Sequence, residues 1–410
     1  MAAEELPPAP GYDEEPLEVL CMACSDPRCD FKPLRLRRRA LGRRDVEIAM
    51  KYCGVCHSDL HTAASHLPKA TAYPCVPGHE LAGVCVAVGP DVEKVRVGDH
   101  VGVGCLVDSC LECEFCVAGR ENKCAARVQT YDAKDWSGRA AQVPAEAKTY
   151  GGYTNRMVVD ERFAVLIPAG YPLECAGPVL CSGITMYDPL VEFGATRATR
   201  VGVVGLGGLG VMGIKIAAAL GCRVTAISRT RAKEALARKC GAAAYLASSD
   251  TKAMADAAKS LDLVLDTVPA QHDWQRYRAL VADGGKLVIL GICSAMAAAM
   301  FTERVRGKSA SVVCSVIGGL KRTQDVIDLC AREEIYPEVD VVPVREVNRV
   351  YEALDASNDS GKRFVLDIAG SLDESAFAAC DAPPPNLAPN PTGFTPRAVL
   401  SDFLRMVLCY

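Results

Sequence analysis

The 410-residue chain carries 46 lysines and arginines against 50 aspartates and glutamates, a formal net charge of −4. This balance gives no electrostatic case for nucleic-acid binding, and no apolar run approaches the length of a membrane span. The length predicts two or three domains, each with its own core. Because the 21 cysteines come without a secretory signal, they favour metal ligation in a reducing compartment over a disulfide scaffold. We therefore expect a cytoplasmic protein.

The first segments predict a leader and an exposed strand. Residues 1–17, rich in proline and glutamate, are typical of disorder. Three cysteines follow without a fourth ligand nearby, so we expect incidental thiols rather than a small metal site; they are Cys21, Cys24 and Cys29. The arginine-rich stretch from Arg35 to Arg44 alternates with apolar residues, which indicates a half-exposed strand rather than a polyanion site.

The stretch Cys53-Gly-Val-Cys-His-Ser-Asp-Leu-His61 concentrates metal-binding and proton-moving side chains. If it opens a helix, His57 and His61 share one face. A single cysteine cannot hold a zinc ion alone, so Cys56 needs partners further along the chain, and the candidates are His79 and Cys181. Two cysteines and one histidine with an open fourth position are the pattern of a catalytic zinc site. The alternative is a strand-end cysteine beside two surface histidines.

Residues 45–107 form short β-branched segments interrupted by glycine, such as Leu81-Ala-Gly-Val-Cys-Val-Ala-Val88. This spacing predicts an all-β, barrel-like domain rather than βαβ units. Strand patterns return at 154–159 and 163–167, after an irregular excursion at 125–151.

Four cysteines follow this domain in a C-x2-C-x2-C-x7-C array: Cys110, Cys113, Cys116 and Cys124. Four thiolates this close in sequence can surround a zinc ion and hold a loop that has no core of its own. An iron–sulfur cluster also uses C-x2-C-x2-C, but its fourth cysteine usually follows after three residues, with a proline behind it, or lies far away in the sequence. We therefore predict a structural zinc lobe at residues 105–125.

The pattern changes at Arg200. A buried strand, Val201–Val204, leads directly into Gly205-Leu-Gly-Gly-Leu-Gly210, then a helical segment at 211–220 and a second strand at 223–228. In this context the glycine motif predicts a dinucleotide-binding turn, with the pyrophosphate at the helix N-terminus. Further strands are predicted at 262–267, 286–291 and 311–316, completing a parallel sheet of about six strands. A helix at 322–332 and a strand at 361–368 follow, and residues 371–410 predict a disordered tail with a possible docking helix at 398–410.

Together these motifs resemble the zinc-containing medium-chain alcohol dehydrogenases, specifically the cinnamyl alcohol dehydrogenase group. The resemblance extends over about residues 18–370. It implies an α/β architecture in which a GroES-like β-barrel catalytic domain, residues 18–181 and 321–370, receives an inserted Rossmann cofactor domain with a doubly wound parallel sheet, residues 182–320.

The resemblance also implies roles for individual residues. Cys56, His79 and Cys181 match the catalytic zinc ligands, and Glu80 matches an alternate or neighbouring ligand. Asp59 matches the carboxylate that orients the ligand imidazole, while Ser58 and His61 match the proton relay. The positions matching cofactor contacts are Ser58, Thr185, Gly205, Leu206, Gly207, Gly208, Leu209, Gly210, Ser228, Arg229, Lys233, Thr267, Gly291, Ser315, Val316 and Ile317.

The second Rossmann strand ends at Ser228, where an NAD enzyme usually places an acid. Arg229 and Lys233 add positive charge, so we expect NADP(H) rather than NAD(H), together with one catalytic and one structural zinc. Gln129 and Val316 stand where lignin-forming members carry bulky aromatic residues, which argues against a dedicated monolignol substrate. We expect an alcohol dehydrogenase or aldehyde reductase that acts on a broad range of primary alcohols and aldehydes. The alternatives are an NAD-dependent, mannitol-type polyol dehydrogenase and a non-catalytic zinc or redox protein of the same fold. The apolar segment 311–317 at the sheet edge predicts a homodimer.

Overall fold

The computed structural model describes residues 16–67, 69–134, 148–291, 294–307, 310–356 and 361–373. Most of the predicted leader at 1–17, most of the tail at 371–410 with its docking helix, and part of the irregular excursion at 125–151 lie outside the described residues.

The strands, in chain order, are β1 (Leu17–Cys24), β2 (Phe31–Arg38), β3 (Asp45–Gly54), β4 (Leu81–Val88), β5 (His100–Val103), β6 (Leu106–Asp108), β7 (Val128–Gln129), β8 (Arg156–Asp160), β9 (Val165–Leu166), β10 (Arg200–Val204), β11 (Arg223–Ser228), β12 (Ala244–Ala247), β13 (Leu261–Asp266), β14 (Val281–Ile289), β15 (Val312–Cys314), β16 (Val339–Pro343) and β17 (Arg363–Asp367). The α-helices are α1 (His57–Ala63), α2 (Glu114–Val117), α3 (Leu173–Pro178), α4 (Ile184–Glu192), α5 (Gly208–Ala219), α6 (Glu234–Lys239), α7 (Thr251–Asp256), α8 (Gln275–Arg278), α9 (Ser294–Arg306), α10 (Leu320–Arg332) and α11 (Val347–Ala356).

The first large sheet combines strands from both ends of the described chain. Its strands lie in the order β16-β17-β3-β4-β5-β9, and β8 also pairs with β3. All pairs are antiparallel except β16 with β17. The core beneath it includes the fully buried side chains of Tyr153, Phe163 and Ile48. The predicted all-β, barrel-like domain is confirmed.

The second large sheet has the order β12-β11-β10-β13-β14-β15, and all five pairs are parallel. This is the 3-2-1-4-5-6 order of dinucleotide-binding folds, in which ligands bind beyond the carboxyl ends of the strands. The predicted six-stranded Rossmann sheet is confirmed. The edge strand β12 was not predicted from the sequence, because its four residues include no β-branched side chains.

One segment connects the two sheets and contributes to the site. It consists of α3, a π-helical turn at Val179–Gly183, and α4. Gly177 in α3 permits the close approach to the first sheet, since a Cβ there would lie 2.1 Å from the carbonyl oxygen of Glu80. The chain later returns through β16 and β17 to the first sheet, so the parallel sheet is an insertion.

Several predicted elements have different bounds in the structure. The arginine-rich strand begins at Phe31 and ends at Arg38; beyond it, Arg39 and Arg43 form ion pairs with Asp45 and Asp91. The edge strand predicted at 311–317 is limited to β15. Its extension fails because Ile317 adopts a positive φ of 44°, which is incompatible with an extended strand.

The structure also bears on two further expectations, the role of the three early cysteines and the absence of a membrane span. Cys21, Cys24 and Cys29 are buried, and neither of the two candidate metal clusters among the described residues includes them. Within the same part of the chain, the helices are too short or too polar to cross a membrane.

The glycine turn provides a stability prediction with a matched control. A Cβ at Gly210 would lie 1.9 Å from the carbonyl oxygen of Gly205, whereas one at Gly207 would meet nothing within 4 Å. Gly210→Ala should therefore lower the free energy of unfolding by about 2 kcal/mol through overpacking. Gly207→Ala should leave it within about 0.5 kcal/mol. Urea denaturation of the two variants checks this, and equal stabilities would contradict the packing argument.

Candidate active site

Four side chains from three separate segments converge at one end of the first sheet. Cys56 immediately precedes α1, His79 and Glu80 precede β4, and Cys181 lies in the π-helical turn. One ligand atom from each lies within 4.8 Å of all the others, and His79 Nε2 is 3.3 Å from Cys181 Sγ. The structure thus brings together the whole set predicted for the catalytic metal.

Asp59 organises this cluster from behind. Its carboxylate is fully buried and lies 2.9 Å from Nδ1 of His79, which leaves Nε2 facing the two thiols. It also accepts backbone N–H groups of Cys56 at 2.8 Å and Gly78 at 3.1 Å. A carboxylate that fixes the far nitrogen of a ligand imidazole is the usual outer partner of a metal-binding histidine.

Glu80 is the least satisfied member of the cluster. Both carboxylate oxygens are buried without a hydrogen-bond partner among the described residues, although Arg363 Nη2 approaches one of them to 3.1 Å. Burial raises the pKa of Glu80 to about 7, while the Arg363 charge acts in the opposite direction. A buried carboxyl with open oxygens beside two thiols and an imidazole fits a divalent cation.

Three residues at this site were not recognised from the sequence. A hydrogen bond from Cys181 lowers the pKa of the Cys105 thiol, and the Tyr131 ring stacks on His79 with centroids 5.9 Å apart. Arg363, the third, approaches from β17. Each of the three lies far along the chain from the site residue that it contacts, so local sequence spacing does not predict its role. One local signal for Cys105 is that it lies two residues after the end of β5.

The predicted relay residues lie on α1. Ser58 and His61 are three apart on this helix and therefore neighbours on its surface. Burial lowers the pKa of His61, and its Nδ1 is 3.4 Å from Nδ1 of the exposed His66. His66 also escaped the sequence analysis, because nothing in its local pattern distinguishes it from a surface histidine.

The second cysteine cluster forms a separate lobe around α2. The Sγ atoms of Cys110 and Cys116 are 3.8 Å apart, those of Cys113 and Cys116 3.6 Å, and those of Cys110 and Cys124 3.5 Å. Tetrahedral zinc with Zn–S bonds of about 2.3 Å separates its sulfurs by about 3.8 Å. Backbone N–H groups of Glu112 and Cys113 lower the pKa of Cys110 to about 6. The geometry and charge of this lobe fit a four-thiolate zinc.

The glycine turn forms an open cradle at the carboxyl end of β10. Gly205 has a φ of +89°, which favours glycine. Open space surrounds the Cβ positions of Gly207 and, apart from one atom at 3.6 Å, Gly208, so a phosphate group can approach the backbone at the start of α5. Leu206 and Leu209 place their side chains in or against the Rossmann core, leaving only their backbone for a cofactor.

The remaining predicted cofactor residues border the same end of the sheet. Ser228 ends β11, Arg229 is exposed beside it, and Lys233 Nζ lies 3.2 Å from the carbonyl oxygen of Leu206 in the glycine turn. The others follow neighbouring strands or open α4: Thr185, Thr267, Gly291, Ser315, Val316 and Ile317. Gly291 fits closely, since a Cβ there would lie 2.1 Å from the Val268 carbonyl oxygen.

Comparison with known protein families gives two matches that follow this architecture. The family description "Alcohol dehydrogenase GroES-like domain" matches residues 42–169, and "Zinc-binding dehydrogenase" matches residues 208–332. A probable cinnamyl alcohol dehydrogenase from Zea mays is 42% identical over 367 residues, covering 89% of this chain and 97% of the relative.

The chain belongs to the zinc-containing medium-chain alcohol dehydrogenases, in the cinnamyl alcohol dehydrogenase group.

Related proteins and structures place this dehydrogenase in a group with several named activities. A mannitol dehydrogenase from Apium graveolens is 40% identical over 362 residues, covering 88% of this chain and 96% of the relative. Among solved structures, a cinnamyl alcohol dehydrogenase from Sorghum bicolor has a TM-score of 0.77 at 35% identity, covering 87% of this chain and 99% of its own. A cinnamyl alcohol dehydrogenase from Helicobacter pylori, complexed with NADP(H), has a TM-score of 0.75 at 34% identity and covers 87% and 100%.

The pair formed by Arg363 and Glu80 gives a second prediction. Arg363→Met leaves a buried carboxylate without its cation, which should lower the free energy of unfolding by about 3 kcal/mol. The double variant Arg363→Met, Glu80→Gln should recover part of that loss. Arg200→Met is the control, since its pair with Asp262 is exposed, and its loss should stay below about 1 kcal/mol. Similar losses in the two single variants would show that the buried pair has no special role.

Proposed function

We propose that the chain is a zinc- and NADP(H)-dependent alcohol dehydrogenase, or aldehyde reductase, acting on a broad range of small primary alcohols and aldehydes. The observation that carries this proposal is the convergence of Cys56, His79, Glu80 and Cys181 near a glycine turn with open space for a phosphate. Cys56, His79 and Cys181 would fill three positions of a tetrahedral zinc, and Glu80, as an alternate ligand that can be displaced, would leave the fourth to a substrate oxygen.

Bound zinc would supply a Lewis acid for the substrate oxygen, and NADP(H) would supply or accept the hydride. The chain's own residues hold and orient these groups. Asp59 keeps His79 Nε2 directed at the metal position, and the thiols of Cys56 and Cys181 serve as anionic ligands. While Cys181 still carries its proton, its hydrogen bond lowers the pKa of Cys56 and favours the Cys56 thiolate; metal binding would then displace the proton of Cys181.

Ser58 and His61 would move the proton. The Ser58 hydroxyl is 3.7 Å from Cys56 Sγ, and His61 follows about one turn later on α1. Ser58 would therefore act near the reacting oxygen and His61 on the side towards solvent. The lowered pKa of His61 keeps its imidazole neutral near pH 7, and a neutral imidazole can accept that proton. His66 extends the path, since it stands exposed beside His61.

NADP(H) preference rests on the end of β11. Ser228 offers a hydroxyl without negative charge, while Arg229 and Lys233 offer cations that attract a 2′-phosphate. The similar Helicobacter pylori structure contains NADP(H). The alternative, an NAD-dependent polyol dehydrogenase, is kept because of the similar mannitol dehydrogenase. A non-catalytic zinc protein is disfavoured because the candidate ligands, relay residues and glycine turn are all present.

The proposed breadth of substrates rests on two positions at which lignin-forming members of the family carry bulky aromatic residues. Gln129, in β7, and Val316, beyond β15, are exposed and less bulky than an aromatic residue. A relative from Catharanthus roseus is named as an 8-hydroxygeraniol dehydrogenase, which supports activity beyond aromatic alcohols in this group.

The assembly and compartment are further parts of the proposal. Within the described residues, β15 ends the Rossmann order, and the nearby α9 exposes Phe301 and Val305 by 60% and 65%. An open strand edge beside apolar side chains favours pairing with a second copy as a homodimer. A lobe that needs four reduced thiolates favours a cytoplasmic location.

The experiment that tests the function is turnover followed by NADPH absorbance, with cinnamaldehyde, small aliphatic aldehydes and a sugar such as mannose. We expect reduction of several aldehydes. Activity confined to mannitol oxidation with NAD would support the polyol alternative. No turnover with any pair, from protein that contains zinc, would support the non-catalytic one.

The two cysteine clusters predict two zinc ions per chain with different roles. Cys56→Ser should abolish turnover by removing a catalytic ligand while leaving the melting temperature nearly unchanged. Cys110→Ser should lower the melting temperature by opening the lobe. Elemental analysis should give two zincs in the parent chain and about one in each variant. A parent protein with one zinc or none would contradict the assignment.

The relay predicts a different behaviour for His61→Ala. Zinc content should stay at two, because His61 is not a ligand, whereas kcat should fall by about 10²-fold or more with an altered pH profile. His100→Ala, at the exposed histidine that begins β5, is the control and should keep the parental profile. Loss of one zinc in His61→Ala would show that the histidine binds metal instead.

Cofactor choice predicts the effect of a carboxylate at the end of β11. Ser228→Asp should repel the 2′-phosphate and raise the Kd for NADPH by about tenfold or more, with a smaller change for NADH. Ser228→Ala separates the charge effect from the loss of the hydroxyl. Equal or better kcat/KM with NADH in the parent chain would refute NADP(H) preference.

A further inference from the structure

The four-cysteine lobe contacts the loop that follows β15, on the far side of the domain boundary. The carbonyl oxygen of Gly119 in the lobe lies so close to Gly319 that a Cβ there would stand 1.9 Å from it. A small cavity between the sheets is lined by both Cys105, of the candidate active site, and Ile317, of this loop. The loop at 315–319 thus reaches from the zinc lobe to the region where the reacting end of a cofactor must lie.

Glu121 holds the end of this loop. Its side chain is buried, and its Oε2 accepts the backbone N–H of Leu320 at 2.9 Å. Leu320 is the first residue of α10, where backbone N–H groups have no partner within the helix and a negative charge is favourable. A carboxylate from the lobe therefore caps the helix that the loop leads into.

Asn122 holds the middle of the loop. Its side-chain amide donates to the carbonyl oxygen of Ile317 at 3.2 Å and approaches that of Val316 at 3.4 Å. Ile317 has a φ of +44°, a conformation that β-branched residues rarely adopt. Such a conformation persists only where its surroundings enforce it, and the Asn122 contacts are part of that enforcement.

A chain of ion pairs links the lobe to the start of the loop. Arg120 of the lobe pairs with Glu192 at 2.6 Å, and Arg322 bridges Glu192 at 2.9 Å and Asp188 at 2.6 Å. Asp188 in turn accepts the Ser315 hydroxyl at 3.4 Å. The lobe therefore contacts the loop at its middle and end directly and at its start through these side chains.

We propose that Glu121 and Asn122 are positioning residues of the cofactor site, through which the zinc lobe sets the affinity for the nicotinamide end of NADP(H). The inference rests on the proposed function, because it needs the loop at 315–319 to contact the cofactor. Under this proposal the lobe has more than a structural role, because it shapes the cofactor-binding loop at 315–319 in the other domain as well as stabilising its own domain.

The test compares Glu121→Ala, Glu121→Gln and Asn122→Ala with the parent chain in its zinc-loaded form. The first readout is the Kd for NADPH from the fluorescence of the binary complex, without turnover. Glu121→Ala and Asn122→Ala should raise this Kd by about fivefold or more while keeping two zincs per chain. Glu121→Gln keeps an acceptor oxygen for Leu320, so it should recover most of the affinity. Glu114→Ala, which removes an exposed acid in α2 of the same lobe, should bind like the parent.

Two further readouts separate positioning from general destabilisation. The KM for NADPH should rise with the Kd, while kcat and the KM for aldehyde at saturating NADPH stay within twofold. The amide hydrogen of Leu320 should exchange faster in Glu121→Ala than in Glu121→Gln.

The outcomes distinguish the inference from the proposed function. A parent chain that does not bind NADPH would contradict the proposed function. A parent chain that binds it, with Asn122→Ala and Glu121→Ala unchanged in Kd, would overturn the inference, as would a lowered melting temperature without a change in Kd. If Glu121→Ala loses zinc or fails to fold, the inference is decided by the Kd of Asn122→Ala for NADPH, since Asn122 is partly exposed and its replacement should disturb the fold less.

Discussion

The contact between the buried carboxylate of Asp59 and Nδ1 of His79 is the interaction on which the site depends. This one side chain also accepts the backbone N–H groups of Cys56 and Gly78, and the Tyr153 hydroxyl lies 3.5 Å away. It therefore ties the start of α1 to the loop before β4 and aims the imidazole at the thiols. A fully buried carboxylate is costly unless its oxygens are paired, so the same contacts that satisfy Asp59 hold two of the candidate ligand segments in register.

The third segment, which carries Cys181, reaches the site by a different physical route. The π-helical turn between α3 and α4 places Cys181 at the junction of the two sheets, and the absence of a side chain at Gly177 allows α3 to lie against Glu80. Turns of this kind are uncommon and concentrate at functional sites. The site therefore depends on packing between domains as well as on the Asp59 contacts, which explains why its members are spread over more than 120 residues of sequence.

The parts predictable from the sequence were those whose partners are local. The four cysteines of the lobe lie within fifteen residues, and the glycine turn lies between a strand and a helix, so spacing alone indicates their chemistry. Residue type makes Cys56, His79 and Cys181 candidates for one zinc site, but nothing in their spacing requires them to meet, and the resemblance to a family supports the grouping. Cys105, Arg363 and Tyr131 were missed because their roles exist only after distant strands pair. The strand at 311–317 was overextended for a related reason: the positive φ of Ile317 depends on contacts with the lobe, and apolar periodicity does not report them.

The charge balance of the buried cluster gives the strongest physical reason to expect a cation within it. With both thiols ionised, Cys56, Cys181, Glu80 and Asp59 would place four negative charges in one buried region. Among the described residues, Arg363 provides a permanent positive charge beside Glu80, and His79 provides another only when it is protonated. Like charges this close cannot all remain ionised in a buried site. Burial is the main cause of the raised pKa of Glu80, and the negative charges of Cys56 and Asp59 add to it. A divalent cation would offset two of these charges, satisfy the open oxygens of Glu80 or leave them poised beside it, and let the thiolates persist near pH 7. A metal ion would thus lower the electrostatic cost of the cluster, which fits a binding site better than a structural core.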